Sequence, residues 1–327
     1  MPTRKTEPTF EVEQFARASV SQQVHFAVRD LVFNWAVVVA TAISHHAAVK
    51  QVVSTVPQGW SALLIGLLSL PAFVIIASRQ HALLGLMHEA AHRHLLPGKW
   101  NDFVSDLFCA MPLFLVTRFY RLSHLVHHQF LNSPDDPDWS RKTWSFPKKS
   151  AFEFWAFVFR ESTAAVGRRL KIFVMSVVTQ PKYSLGFFFY LITIEAFLAA
   201  LVWIGIGWQN YILYWLGPMV LVLPVLGIVR SVSEHFGLNY AGDLNQARDI
   251  NAGPIEKALF GPNAIHLHLT HHLYPGVPRY RLESLHNRLR EEPWFSGAKQ
   301  NSSYIFPSEA SVLGDIISAE YVVQEKH

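Results

Sequence analysis

The sequence predicts an all-α integral membrane protein, with about four transmembrane helices beneath a helical cap on the cytoplasmic face. Three observations predict it. The 327 residues are 50% hydrophobic, and those residues are gathered into long runs. Lys and Arg are distributed asymmetrically around the runs. Most of the 17 histidines fall in a few tight clusters rather than along the chain.

The hydrocarbon core of a bilayer is about 30 Å thick and takes roughly 20 apolar helical residues to cross. Four runs meet that need: Leu31–Val49, Ser61–Ser78, Leu185–Trp208 and Tyr211–Val229. The first is interrupted by Asn34, His45 and His46, and the second contains Pro71, which a membrane helix tolerates. Only a short polar break separates the last two, so they read as a helical hairpin. Phe103–Val116 and Ala151–Val178 are too short or too charged to span, and are expected to lie at the cytoplasmic face as interfacial or re-entrant helices.

The basic residues give the orientation. Thirteen Lys or Arg lie between Arg93 and Lys182, whereas the connection after the first run offers only Lys50 and the last hairpin offers none. The positive-inside rule then puts both termini and the long central segment in the cytoplasm. The net charge of +4 is explained by these flanking positions, so a membrane partner is expected and a nucleic-acid partner is not. A single cysteine, Cys109, excludes an intrachain disulfide and a Cys-rich zinc or iron–sulfur site. The N-terminal residues lack an apolar stretch next to their charges and do not read as a cleaved leader. The expected division is a cytoplasmic segment over 1–27, a membrane catalytic domain over 28–290 and a cytoplasmic tail over 291–327.

Three histidine clusters stand out: HEAAH at 88–92, HLVHH at 124–128 and HLTHH at 268–272, with His235 just beyond the fourth run. Positions i, i+3 and i+4 share one helix face. His88 with His92, the trio His124, His127 and His128, and the trio His268, His271 and His272 can therefore each aim at one point. Sidedness puts all of them, and His235, at the cytoplasmic face. Nine imidazoles exceed what one ion takes, so two metals are expected, and imidazole suits iron, zinc, copper and nickel. The alternative is a set of unrelated surface or capping histidines.

These motifs resemble the membrane fatty-acid desaturase and hydroxylase superfamily, whose hallmark is HxxxH, HxxHH and HxxHH, over about residues 60–290. The third box, HLTHHLYPGVPRYRLESLH, is especially similar, and NSPDDPDW after the second resembles bacterial members, including carotenoid ketolases. The resemblance implies a di-iron centre held by His88, His92, His124, His127, His128, His268, His271 and His272, together with His235. It implies O2 as co-substrate and a lipidic C–H bond as target, with fatty-acyl desaturation favoured over hydroxylation or ketolation. The acyl group would be carried on CoA, an acyl-carrier protein or a phospholipid. No cytochrome b5 domain is visible, so electrons are expected from a separate donor such as ferredoxin or cytochrome b5.

HEAAH also fits HExxH, in which two His bind zinc and the Glu is general base, so a membrane zinc protease is a rival of another class. A metal transporter is a third, although transport sites favour the bilayer midplane. His81 shares a face with His88 and could support the site or merely sit at the interface. His94 and His266 stand beside boxes as substitutes for a ligand. His45 and His46 are expected on the opposite side, without a role. Glu195 falls mid-span, either functional or a hydrogen-bonded structural group. Asp135, Asp136 and Asp138 could orient ligand imidazoles or simply form a turn with Pro134 and Pro137.

Overall fold

A computed structural model describes residues 8–144, 148–179, 192, 193, 196, 200, 209–240, 242–306 and 310–318. Helix α1 spans Val20–Thr55 and α2 spans Gln58–Ala91, and both are long and apolar enough to cross a membrane. Ser19 starts α1 through a reciprocal capping box with Gln22, and Pro57 separates the pair. The third long apolar helix, α5, spans Gln209–His235. Apart from positions 192, 193, 196 and 200, the expected run Leu185–Trp208, Glu195 included, lies outside the described residues.

The spans are longer than the apolar runs alone suggest. With 34 residues, α2 is about 51 Å long at 1.5 Å per residue, well beyond the bilayer core. Its first half is exposed at Trp60, Leu63, Leu67 and Leu70, as a lipid-facing helix should be, while nearly every residue from Ile76 to Ala91 is buried in protein. Along one unbroken helix, exposed apolar surface thus gives way to a protein-buried half that carries the first histidine cluster.

Two irregularities set the path of the other elements. Trp100–Leu113 and α3, Thr117–Gln129, form a pair bent by 91°. The corner holds Phe114 at φ 57°, Asp106 accepts the Thr117 N–H at 2.8 Å, and Ser105 meets Thr117 at 2.8 Å. This is the geometry of a broken span or of a re-entrant loop; the second matches the re-entrant helix expected over Phe103–Val116, the first does not. In α5 the stretch Ile212–Leu216 widens into a π-helical turn. The Trp215 carbonyl accepts from Gln80 at 2.9 Å, its indole donates to the Pro112 carbonyl at 2.8 Å, and its ring stacks on Trp35. Such π-bulges free backbone groups for tertiary contacts. Gly217 lies where a Cβ would sit 3.1 Å from the Phe73 ring, so any larger residue there would make that ring shift by a few tenths of an ångström.

The long helix α4, Ala151–Thr179, packs on α5. The remaining cap comprises α6 (Pro254–Phe260), α7 (His268–Leu273), α8 (Arg279–Leu289) and α9 (Val312–Ser318). A two-residue parallel ladder joins Asp249–Ile250 to Gln300–Asn301. The C-terminal segment belongs to this cap: Phe295, Tyr304, Val312 and Ile316 are fully buried, and Glu256 accepts the backbone N–H groups of Tyr304, Ile305 and Phe306.

Candidate metal centre

The histidines come from four places in the chain, and each is fixed locally. Two buried arginines act alike. Arg121, in α3, donates to the Ala91 carbonyl at 3.0 Å and the Ala90 carbonyl at 2.8 Å. Arg248 donates to the Phe236 carbonyl at 2.7 Å and to those of Ser233 and Gly237. Each guanidinium thus satisfies carbonyls at the C-terminus of a membrane helix, where cations are favoured by the helix dipole. From those two ends project His88 and His92, and His235. The short helix α7 is held by Asp249, whose carboxylate accepts the Thr270 N–H at 3.0 Å and the Thr270 hydroxyl at 2.6 Å, and which His286 approaches at 3.0 Å.

The nine imidazoles converge into two groups. One contains His88, His92, His124, His128 and His271; the other contains His127, His235, His268 and His272. Within each group one ring nitrogen per residue lies within 4.8 Å of all the others. Every close contact is between Nε2 atoms: His92 to His124 at 2.8 Å, His124 to His128 at 3.0 Å and His128 to His271 at 3.2 Å. In the second group His127 meets His235 at 3.2 Å, His235 meets His268 at 2.8 Å and His268 meets His272 at 3.0 Å. A metal–imidazole bond of about 2.1 Å would place neighbouring donors on one ion roughly 3 Å apart.

Two of the rings have their protons placed by outside partners. His127 Nδ1 faces Asp136 Oδ1 at 3.0 Å, and His235 Nδ1 faces the Gln246 carbonyl at 3.1 Å. Carboxylate and carbonyl oxygens only accept, so both Nδ1 atoms carry the proton. The two Nε2 atoms, 3.2 Å apart, are then the ring nitrogens left to face a shared point. Neutral rings are what burial favours. Burial, then His94 and Arg121, lowers His92 to about 4. Burial first, then neighbouring imidazoles, holds His268, His271 and His272 well below the ordinary histidine value. Both ring nitrogens of His88 are buried without a hydrogen-bonding partner among the described residues. The donor set fits a pair of divalent metals.

Outer partners complete the site. Burial alone would raise the Asp136 carboxyl, but the His127 hydrogen bond and the Lys142 ammonium outweigh it and hold it well below the usual carboxylate range. Lys142 itself is buried and meets Asp136 at 2.6 Å. Glu234, paired with Arg230 at 2.6 Å, stands 3.5 Å from His268 Nδ1. Of the three aspartates considered in sequence, Asp136 takes the orienting position, and Asp138 pairs with Arg141. Arg121, Glu234, Gln246, Arg248 and Asp249 escaped sequence reasoning. Only Glu234, beside His235, carried a local hint.

Other candidates stand apart. His94 and His266 belong to neither group; His266 bonds the Gly261 carbonyl at 3.2 Å. His81 bonds the Leu259 carbonyl at 2.8 Å. His45 is buried between spans, 2.8 Å from the Tyr214 hydroxyl and 3.0 Å from Ser69. Glu89, the would-be base of HExxH, accepts the Arg279 backbone N–H at 3.1 Å.

The fatty acid desaturase family model matches residues 59–304, three quarters of the chain and all nine histidines of the two groups. The dihydrorhizobitoxine desaturase of Bradyrhizobium elkanii is 29% identical over 245 aligned residues, 69% of this chain and 68% of the relative.

Proposed function

We propose that this chain, which belongs to the fatty acid desaturase family, holds two iron ions in its two groups of imidazoles and oxidises an unactivated C–H bond of a lipidic substrate with O2. Desaturase-type oxidoreductase chemistry follows from the family and from the named relative. The iron, the O2 and the fatty-acyl substrate are the added reading. The observation that carries it is the division of nine histidines into sets of five and four with all-Nε2 contacts. His88, His92, His124, His128 and His271 would hold one ion, and His127, His235, His268 and His272 the other.

An aliphatic C–H bond has no acidic proton and no carbonyl to polarise, so bound iron would supply the oxidising power that side chains lack. The protein's own residues do the rest. Imidazoles hold cations without adding negative charge. Asp136 and the Gln246 carbonyl keep the protons of His127 and His235 on Nδ1, leaving Nε2 for the metal. Burial of His88, His235, His268 and His271 excludes water from the donors.

The membrane helices support a lipid-phase substrate, and the same sidedness argument supports a cytoplasmic site in the cytoplasmic membrane. Acyl-CoA, acyl-carrier protein or phospholipid would present the chain, and a separate ferredoxin or cytochrome b5 would deliver electrons. The relative's printed activity supports desaturation over hydroxylation or ketolation. The zinc-protease alternative is disfavoured by Glu89, which is committed to Arg279.

Elemental analysis of the purified protein tests the metal: about two irons per chain are expected, and zinc alone would overturn the reading. Lipid and acyl profiling of cells with and without the gene tests the reaction. Loss of two hydrogens from a product marks desaturation, gain of one oxygen marks hydroxylation, and both changes together mark a ketone.

A further inference from the structure

A cavity of about 270 Å³, lined by His266 but by none of the nine clustered histidines, lies between α1, α2, α6 and the segment following α6. Its wall includes two cations from distant parts of the sequence, Arg79 and Lys257, with Asp30, Asn34, Phe33 and Ala258. Arg79 is half-buried and bonds only neutral groups: Asn34 Oδ1 at 3.4 Å, the Ala258 carbonyl at 3.2 Å and Ser78 Oγ at 3.2 Å. Neither Arg79 nor Lys257 has an ion-pair partner within 4 Å among the described residues. The one carboxylate in the wall is already used, because Asp30 pairs with Arg29 at 2.7 Å and with Arg279. The cavity therefore holds two positive charges and lacks the anion that would offset them. Withdrawing a guanidinium from water without a counter-charge is costly.

The depth of the cavity indicates what the anion is attached to. Ile75 is the last exposed large apolar residue on α2, and Arg79 follows one turn later. Phe33 in the wall, and Ile255 on the helix that bears Lys257, are also large apolar side chains left exposed. Apolar surface that would face lipid thus gives way at this level to a paired Arg and Lys. A guanidinium fork matches phosphate oxygens in geometry as well as charge.

We propose that this cavity binds the phosphate of a phosphate ester at the membrane surface, with Arg79 and Lys257 as its cationic contacts. The inference is independent of the reaction catalysed at the histidines.

Native mass spectrometry of the detergent-solubilised full chain tests it. Dioleoyl phosphatidylglycerol, dioleoylglycerol and glycerol 1-phosphate are titrated in parallel. Phosphatidylglycerol is expected to be retained at one molecule per chain, and dioleoylglycerol, which lacks phosphate, is not. R79Q and K257Q should each weaken retention by about tenfold, as loss of one charge-assisted contact implies, while R79K keeps part of it and K50Q, far along α1, keeps all. Glycerol 1-phosphate binding as well as the lipid, with the same dependence on Arg79 and Lys257, would identify a water-soluble ester; failure of the tailless ester would identify a bilayer lipid. Equal binding of dioleoylglycerol, or wild-type retention by K257Q, would overturn the proposal. Lys257 makes no ion pair to lose among the described residues, so K257Q decides even if R79Q does not fold.

Discussion

The Nδ1 of His127 lies 3.0 Å from Oδ1 of Asp136, a carboxylate whose other oxygen is held 2.6 Å from the buried ammonium of Lys142. One hydrogen bond thus fixes the tautomer and plane of a ring nine positions earlier in the chain, and the buried ion pair fixes the carboxylate. Removing the charge should loosen His127 without deleting it. D136N is expected to lower metal affinity by about 10- to 100-fold, the range for outer-shell partners of ligating histidines. Iron retention against a graded chelator measures it; unchanged retention would make Asp136 a turn residue only.

His235 occupies the centre of the second group, in contact with both His127 and His268. H235A is expected to lose iron and turnover while still inserting in the membrane. H94A and H266A, outside both groups, are expected to keep both. Full iron and full turnover in H235A would remove it from the ligand set.

Glu89 gives a test between hydrolytic and oxidative chemistry. Its carboxylate serves as a latch for the Arg279 N–H, and a glutamine oxygen can accept that bond too. E89Q should therefore retain most of its turnover and its metal, with some loss of stability. Abolished turnover with full metal content would instead point to a general base at this position.

His45 joins three spans, because Tyr214 lies on α5 and Ser69 on α2. The Ser69 hydroxyl donates to the Ile65 carbonyl at 2.7 Å, so it accepts from His45 Nε2, and the Tyr214 hydroxyl donates to Nδ1. Hydrogen bonds between membrane helices contribute about 1 kcal/mol each. H45L should lower thermal stability by an amount of that order and leave iron content intact. A loss of iron would link this cluster to the metal centre.

Topology is open to cysteine scanning on a quiet background, since Cys109 is buried. A cysteine at position 50 is expected to react with an impermeant reagent only from outside, and one at Arg168 only from the cytoplasmic side. Labelling of position 50 from the cytoplasm alone would invert the orientation.

The sequence by itself determined the class of the molecule and the identity of the histidines brought together. Period and length do this: an 18-residue apolar run is a local property, and HxxHH puts three rings on one helix face wherever that helix goes. It also determined that His235 would reach the same level, because α5 runs on to that residue. The division into five and four was decided only by the tertiary structure. His127 leaves its neighbours His124 and His128 to join His235, and His271 parts from His268 and His272, since adjacent rings on one helix diverge by the helical twist and each group is filled from facing helices. The same holds for Arg121 and Arg248, which cap helix ends, and for Arg79 and Lys257, which share a cavity although 178 positions apart. No pattern along the chain records these pairings, because charge complementarity between distant residues exists only once the helices have packed.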